Sequence, residues 1–368
     1  MRFDAPPLET VTIDDLEALG VGAGILGTGG GGHPRVGKLR LRTIFEDLEY
    51  PDEVEVIHPN SLPPNATVAS VGGMGAPTIG VEKLPNGREE IRSLDAIEAA
   101  SDRTVDALIP GEIGGVNSIV PLCVGAMAGL PVLDADGMGR AFPELQMDTF
   151  FIYGHPVNYA AISDERGNTI TYQDIDTAER LEDFARAATV DMGGRAGYAF
   201  PLMDGSFVSE YSILGTLSLA HELGTQVLAA QTDDRNPIDA ACEVVGGTQL
   251  FTGKVTDVYR RNEAGFAKGE VTLAEIDGNN ELTIEFQNEF LVARDDGGTV
   301  LASVPDLICL VDKDTGLPIT TDALRYGQRV TVLGVPAPEL LMTKDALEVI
   351  GPKAFGYDIR YEPLMVGQ

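Results

Sequence analysis

The chain has 368 residues and a formal net charge of −31, from 57 acidic against 26 basic side chains. Negative charge dispersed along the sequence speaks against nucleic acid and anionic membrane as partners. The 3 cysteines, Cys123, Cys242 and Cys309, are too few and too far apart for a disulfide framework or a Cys-rich zinc module.

A 43% hydrophobic chain of this length is expected to form two domains, 1–172 and 173–368. No stretch approaches about 18 consecutive apolar residues. The Met1–Thr10 stretch carries Asp4, Pro6, Pro7 and Glu9 where a secretory leader is basic and then apolar, so the expected location is cytoplasmic. Only 7 of the basic residues are Lys. Dispersed acidity with scarce Lys reads as a halophilic adaptation to a cytoplasm rich in salt, where the Debye length falls to about 3 Å. An acidic surface for a cationic partner is the alternative.

Thr12 is placed to cap a short amphipathic helix over 13–19, which leads into Gly27-Thr28-Gly29-Gly30-Gly31-Gly32-His33-Pro34. Each glycine in such a run costs roughly 0.5–1 kcal/mol of ordering entropy relative to Ala, so close approach to the backbone is the expected reason for it. Two readings fit. The bare N–H groups could bind an anion at the start of a helix that begins near Arg35, with His33 at the rim, or the run could pack tightly beneath another element. Common nucleotide-binding patterns do not fit, because no Gly-Lys-Ser/Thr follows and no clear strand precedes.

Further along, 54–57 and 67–71 read as strands, the second running into Gly72–Pro77. A helix over 89–100, a strand over 107–110 opening onto Gly111–Asn117, an apolar helix over 118–128 closed by Gly129, and a strand over 131–134 follow. This alternation predicts an α/β N-terminal domain with glycine loops at strand ends and its site along one sheet edge. Strands over 158–162 and 169–172 precede a boundary near 173–177; helices are expected over 178–188 and over 213–223, the latter stopping at Gly224. From 252 onward seven short strands, joined by turns such as Asp277-Gly278-Asn279-Asn280, predict a β-rich barrel or sandwich.

Chemistry concentrates in 134–147. Asp134 and Asp136 are two apart at a strand end, so both carboxylates could project from one side, with an N-cap and turn role as the alternative. His33 and His155 each sit between a glycine and a proline, and His221 lies on an apolar helix. His33, Asp136, His155 and His221 are a candidate set for a divalent metal such as zinc, cobalt or manganese. Cys123 lies in an apolar run and reads as a buried, inert thiol, with a sulfur-accepting nucleophile as the alternative.

Leu26–Gly32, the block Asp136–Met147, Gly193-Gly194-Arg195 and Phe286-Gln287-Asn288-Glu289 together resemble the S-methyl-thiohydantoin desulfurase family, whose members are found beside hydantoinase and oxoprolinase components. The resemblance spans nearly the whole chain and implies an enzyme, a hydrolase in which water attacks the sulfur-bearing carbon of a cyclic imide and leaves a hydantoin. For that reaction Asp134, Asp136 and Glu144 are candidate bases, His155 a proton shuttle and Arg140 an anion stabiliser; Gly29, Gly30, Gly31, Gly32, Gly73, Gly194 and Arg195 are candidates for holding substrate. An ATP-dependent hydantoinase-type component and a non-catalytic subunit of a hydantoinase partner are the rival readings. A homo-oligomer is expected.

Overall fold

A strand buried on both faces belongs inside a sheet, and in Thr67–Gly75 the side chains of Val68, Ala69 and Val71 are fully buried. The computed structural model describes residues 5–75, 79, 82–263 and 266–365. Ala76 and Pro77 of the second glycine run, and Met1–Asp4, lie outside the described residues. In chain order the strands are β1 Thr10–Thr12, β2 Glu53–Ile57, β3 Thr67–Gly75, β4 Ala107–Pro110, β5 Val132–Leu133, β6 Ala135–Asp136, β7 Ala160–Ser163, β8 Thr169–Tyr172, β9 Arg195–Asp204, β10 Ile213–Leu214, β11 Thr248–Glu263, β12 Phe266–Glu275, β13 Glu281–Gln287, β14 Glu289–Asp295, β15 Val300–Ser303, β16 Leu307–Asp312 and β17 Arg329–Val335. The helices are α1 Leu16–Leu26, α2 Pro34–Phe45, α3 Glu89–Ser101, α4 Val120–Ala128, α5 Thr149–Ile152, α6 Ala178–Asp191, α7 Gly205–Tyr211, α8 Thr216–Thr232, α9 Pro237–Val245 and α10 Lys344–Ile350.

The first sheet has the order β1-β2-β5-β4-β3-β9-β7-β8. Its centre, β2 to β3, is parallel, as crossovers through helices require, and both flanks are antiparallel. β9 pairs with β3 along most of its length although it comes from beyond residue 173, so the α/β layer is built from both halves of the chain. The second sheet, β15-β14-β13-β12-β11-β17-β16, is antiparallel throughout and forms a half-barrel with its own apolar core. The expected α/β half and β-rich half are both present.

Helix α1 is almost wholly buried and crosses α8 through glycines. A Cβ on Gly22 would stand 1.7 Å from the Ala220 carbonyl oxygen, and one on Gly224 would stand 1.7 Å from that of Ala18. Gly224 therefore does not end its helix, which runs on to Thr232; it sits where the two backbones touch. The 13–19 segment begins as a 3-10 turn in which Asp15 accepts the Thr12 N–H and hydroxyl, both at 2.8 Å, before α1 starts at Leu16. Gly224→Ala is expected to force the helices apart and to lower the stability read from urea unfolding by about 1–3 kcal/mol, the range for overpacking.

Candidate active site

The loop over 27–32 joins α1 to α2, and the C-terminal sheet grips it. Phe290 N donates to Thr28 O at 2.8 Å, Thr321 N donates to Gly29 O at 3.0 Å, and Val116 N donates to Gly31 O at 2.8 Å. A Cβ on Gly29 would meet Phe290 and Thr321, and one on Gly30 would meet the Glu289 carboxyl. Gly29 and Gly30 are thus packing positions. Gly31 and Gly32 reach a cavity of about 150 Å³, and His33 stands at its edge as the N-cap of α2. Its Nδ1 accepts the Arg35 N–H at 3.2 Å, so a neutral His33 carries its proton on Nε2.

Arg140 is fully buried and is not on the cavity wall. Its guanidinium donates to Thr28 Oγ1 at 2.8 Å, Phe290 O at 2.8 Å, Asp306 O at 2.8 Å and Ala141 O at 3.1 Å, which ties the glycine loop to the second sheet. Burial lowers its pKa to about 10. Asp136, also fully buried and off the wall, accepts the N–H groups of Ile113, Met138 and Gly139 on Oδ2 at 2.8, 3.1 and 2.7 Å. Its Oδ1 faces the Thr216 hydroxyl without a closed hydrogen bond, and desolvation pushes the acid up to about 7. Asp134 takes the Ser218 N–H at 3.0 Å in the first turn of α8. Both aspartates thus reach the first turn of α8, Asp136 toward Thr216 and Asp134 to Ser218, and neither lines the cavity. Each holds backbone in place.

The four residues expected to bind a metal do not converge. His155 lies edge-on to Phe207 at 4.8 Å and contacts Pro156 O through Nδ1 at 2.8 Å, while His221 hydrogen-bonds Asp15 at 3.0 Å. Neither lines the cavity that His33 touches, and Asp136 is occupied behind its wall. Among the described residues no group of three or more His, Cys, Asp or Glu side chains is arranged to hold a metal ion. Gly194 packs on Ile79, whereas Gly73, Glu144 and Arg195 do line the cavity. Cys123 is buried in the apolar core, and desolvation pushes its thiol up to about 12.

Four acids that sequence reading did not single out for chemistry occupy the wall, all at least nine-tenths buried: Glu182, which is paired with Arg186, and Glu112, Asp148 and Glu289. Glu112 sits just past β4 in the glycine loop, where Asn117 Nδ2 donates to its Oε1 at 2.6 Å while Oε2 has no partner. Burial raises Glu112 to about 8, with the Asp136 charge adding to the rise. Asp148 caps α5 through the Phe150 N–H at 2.9 Å and is raised well above the ordinary carboxyl range by burial and by the charges of Asp136 and Glu112. Glu289 is raised similarly, first by desolvation and then by Glu112, against the pull of Arg140; its Oε2 also lacks a partner. The Tyr198 phenol, pushed up by burial and by Glu112 and Asp148, is a neutral hydroxyl on the same wall. Like charges crowded into low dielectric cannot all ionise, so at neutral pH the cavity holds carboxylic acids. The only sequence signals for them were an acid between glycines at the mouth of a buried strand and one at the head of the apolar run 290–293.

A mixed sheet whose central strands open into a half-open, acid-lined cavity beside an antiparallel half-barrel defines an α/β protein with a cavity at the strand ends. Residues 14–174 match the family model described as S-Me-THD-like, N-terminal domain, and residues 176–364 match the one described as S-Me-THD-like, C-terminal domain. The chain belongs to the S-methyl-thiohydantoin desulfurase-like family. A crystal structure of a protein from Chromobacterium violaceum is similar at a TM-score of 0.81 and 25% sequence identity, over 97% of this chain and 100% of that one. Among curated proteins, none matches the sequence.

Two outcomes test this description. Arg140→Met leaves Thr28 Oγ1 and the Phe290 and Asp306 carbonyls without their donor, and a loss of about 3 kcal/mol or more in urea unfolding is expected. Because the folded-state pKa of Glu112 is raised from 4.5 to about 8, the folded state holds a proton that the unfolded chain has already released across that window. Glu112 accordingly subtracts stability as pH rises from 4.5 to about 8. Glu112→Gln should therefore gain stability over the parent between pH 5 and pH 9 in paired thermal melts, and an unchanged gap between the two proteins would contradict the burial argument.

Proposed function

We propose that the protein hydrolyses an S-methyl-thiohydantoin or a closely related cyclic thioimide, releasing methanethiol and leaving a hydantoin. The family assignment over both halves of the chain supports this reading, and one observation carries the mechanism. Glu112 is a buried acid with a free oxygen on the wall of a cavity of about 150 Å³, a size suited to a five-membered ring with a small substituent.

The ring carbon that bears sulfur is amidine-like, and it becomes electrophilic when the adjacent ring nitrogen accepts a proton. Glu112, still protonated at neutral pH, supplies that proton. Its carboxylate then takes a proton from the water whose oxygen bonds to the carbon. The resulting tetrahedral adduct collapses as Glu112 returns the proton to sulfur, the carbon–sulfur bond breaks, and the adduct's hydroxyl proton passes back to the Glu112 carboxylate. Substrate and one water become hydantoin and methanethiol, and the enzyme ends as it began. Tyr198 and Arg195, which both line the cavity, would donate hydrogen bonds to a ring oxygen, and the unpartnered Arg195 Nη1 supports that role. The apolar wall formed by Met138, Phe142 and Phe151 suits the methylthio group.

The test is thiol release from a 2-methylthio-imidazolone, followed by reaction of the thiol with a chromogenic disulfide. An acid with a pKa of about 8 predicts a rate that falls as pH rises past that value. Glu112→Gln is expected to lower kcat by about 10²–10⁴, the range for loss of a general acid. A parent protein that releases no thiol at any pH would overturn the reaction.

A further inference from the structure

We infer that Asn117 is a positioning residue that confines the Glu112 proton to Oε2, the oxygen without a partner, by saturating Oε1. The inference rests on the role of Glu112 proposed above and deepens it.

The orientation of the Asn117 amide is settled by the backbone of β3. Gly73 N donates to Asn117 Oδ1 at 2.9 Å, and Asn117 Nδ2 donates to Gly73 O at 3.1 Å. With Oδ1 engaged by an N–H, the flipped amide would set donor against donor, so Nδ2 must face Glu112. There it donates to Oε1 at 2.6 Å. A carboxylic acid carries its proton on one oxygen, and an oxygen that accepts a short hydrogen bond from a fixed amide is the wrong one to protonate. Oε2 has no hydrogen-bond partner, and Glu112 is 6% exposed on the cavity wall, which leaves Oε2 as the oxygen that holds the proton. The Phe142 N–H also faces this carboxyl, from too far to close a bond. The titratable groups around it are Asp136 on β6, Asp148 at the start of α5, Tyr198 on β9 and Glu289 on β14. None of these is hydrogen-bonded to Glu112 at either oxygen, which leaves Asn117 as the group that sets its geometry.

Gly73 is the natural place for such an anchor. It lies on β3 at the cavity wall, and a Cβ there would have open room on most sides, with Asn117 Oδ1 nearest at 3.6 Å. One amide side chain thereby fixes both the proton donor and the strand that forms the floor beneath it.

Two variants separate this role from mere packing. Asn117→Asp is nearly isosteric and keeps an acceptor for Gly73 N while removing the donor to Glu112; Asn117→Ala removes both. Loss of the amide donor disfavours the ionised carboxyl, so the Glu112 titration should move up by about one pH unit in either variant, and the added acid in Asn117→Asp pushes the same way. In thiol-release assays the alkaline limb is expected to shift upward by that amount, with kcat down about tenfold and KM changed less. Independently of activity, infrared difference spectra between each variant and its Glu112→Gln counterpart should show the carboxylic-acid C=O band persisting to higher pH and shifting in frequency. An unmoved limb with kcat/KM reduced through KM alone would assign Asn117 to packing and overturn the inference, as would an unchanged Glu112 band. If the parent protein releases no thiol, the reaction fails while the infrared titration still decides the Asn117–Glu112 linkage.

Discussion

Everything that forms the cavity hangs on the seating of one glycine-rich loop against the second sheet. The loop over 27–32 hydrogen-bonds β14 through Thr28 and the 319–321 segment through Gly29, while Arg140 spans the seam with four donors from a fully buried guanidinium. Thr28 and Asn288, on opposite sides of the seam, both adopt positive φ, at 49° and 59°. Left-handed backbone at non-glycine residues costs of order 1 kcal/mol and persists only where surrounding contacts over-determine it. The donors of Arg140 and the Thr321 hydroxyl, which reaches the Asn288 and Gly29 carbonyls at 2.6 and 3.2 Å, are those contacts.

That seam also explains the unusual acidity of the site. Closing the half-barrel over the ends of the first sheet takes Glu112, Asp148 and Glu289 out of water together, and desolvation is the leading cause of the raised pKa for each. A carboxyl in bulk solvent is ionised at neutral pH and has no proton to offer. The same group inside the cavity keeps one. The retained proton marks a charge the fold cannot easily accommodate, so ionising these acids costs stability. Arg140 supplies part of the compensation, since its charge lies close enough to Glu289 to oppose the rise there.

Much of the fold was legible in the chain. The apolar runs at 107–110 and 329–335 are strands over those same residues, and the run of short strands after 252 is one antiparallel sheet. Local pattern was least informative where tertiary contact overrode it. Arg195–Asp204 is broken by glycine and proline in sequence, yet it pairs with β3 as a central strand; Gly224 resembles a helix stop and is a helix crossing. Pro237–Val245 and Lys344–Ile350 were hidden by their short length.

The sequence by itself determined the α/β and β-rich halves and the family, because hydrophobic period and motif residues are local properties that survive without coordinates. Only the tertiary structure decided which acids line the cavity. Asp134 and Asp136 stand in the densest polar block of the chain, but backbone N–H groups take up their carboxylates, while Glu112, Asp148 and Glu289 come from three distant segments to one wall. The reactivity of a carboxyl is set by the water and charge around it, and those are fixed by residues far away in the chain.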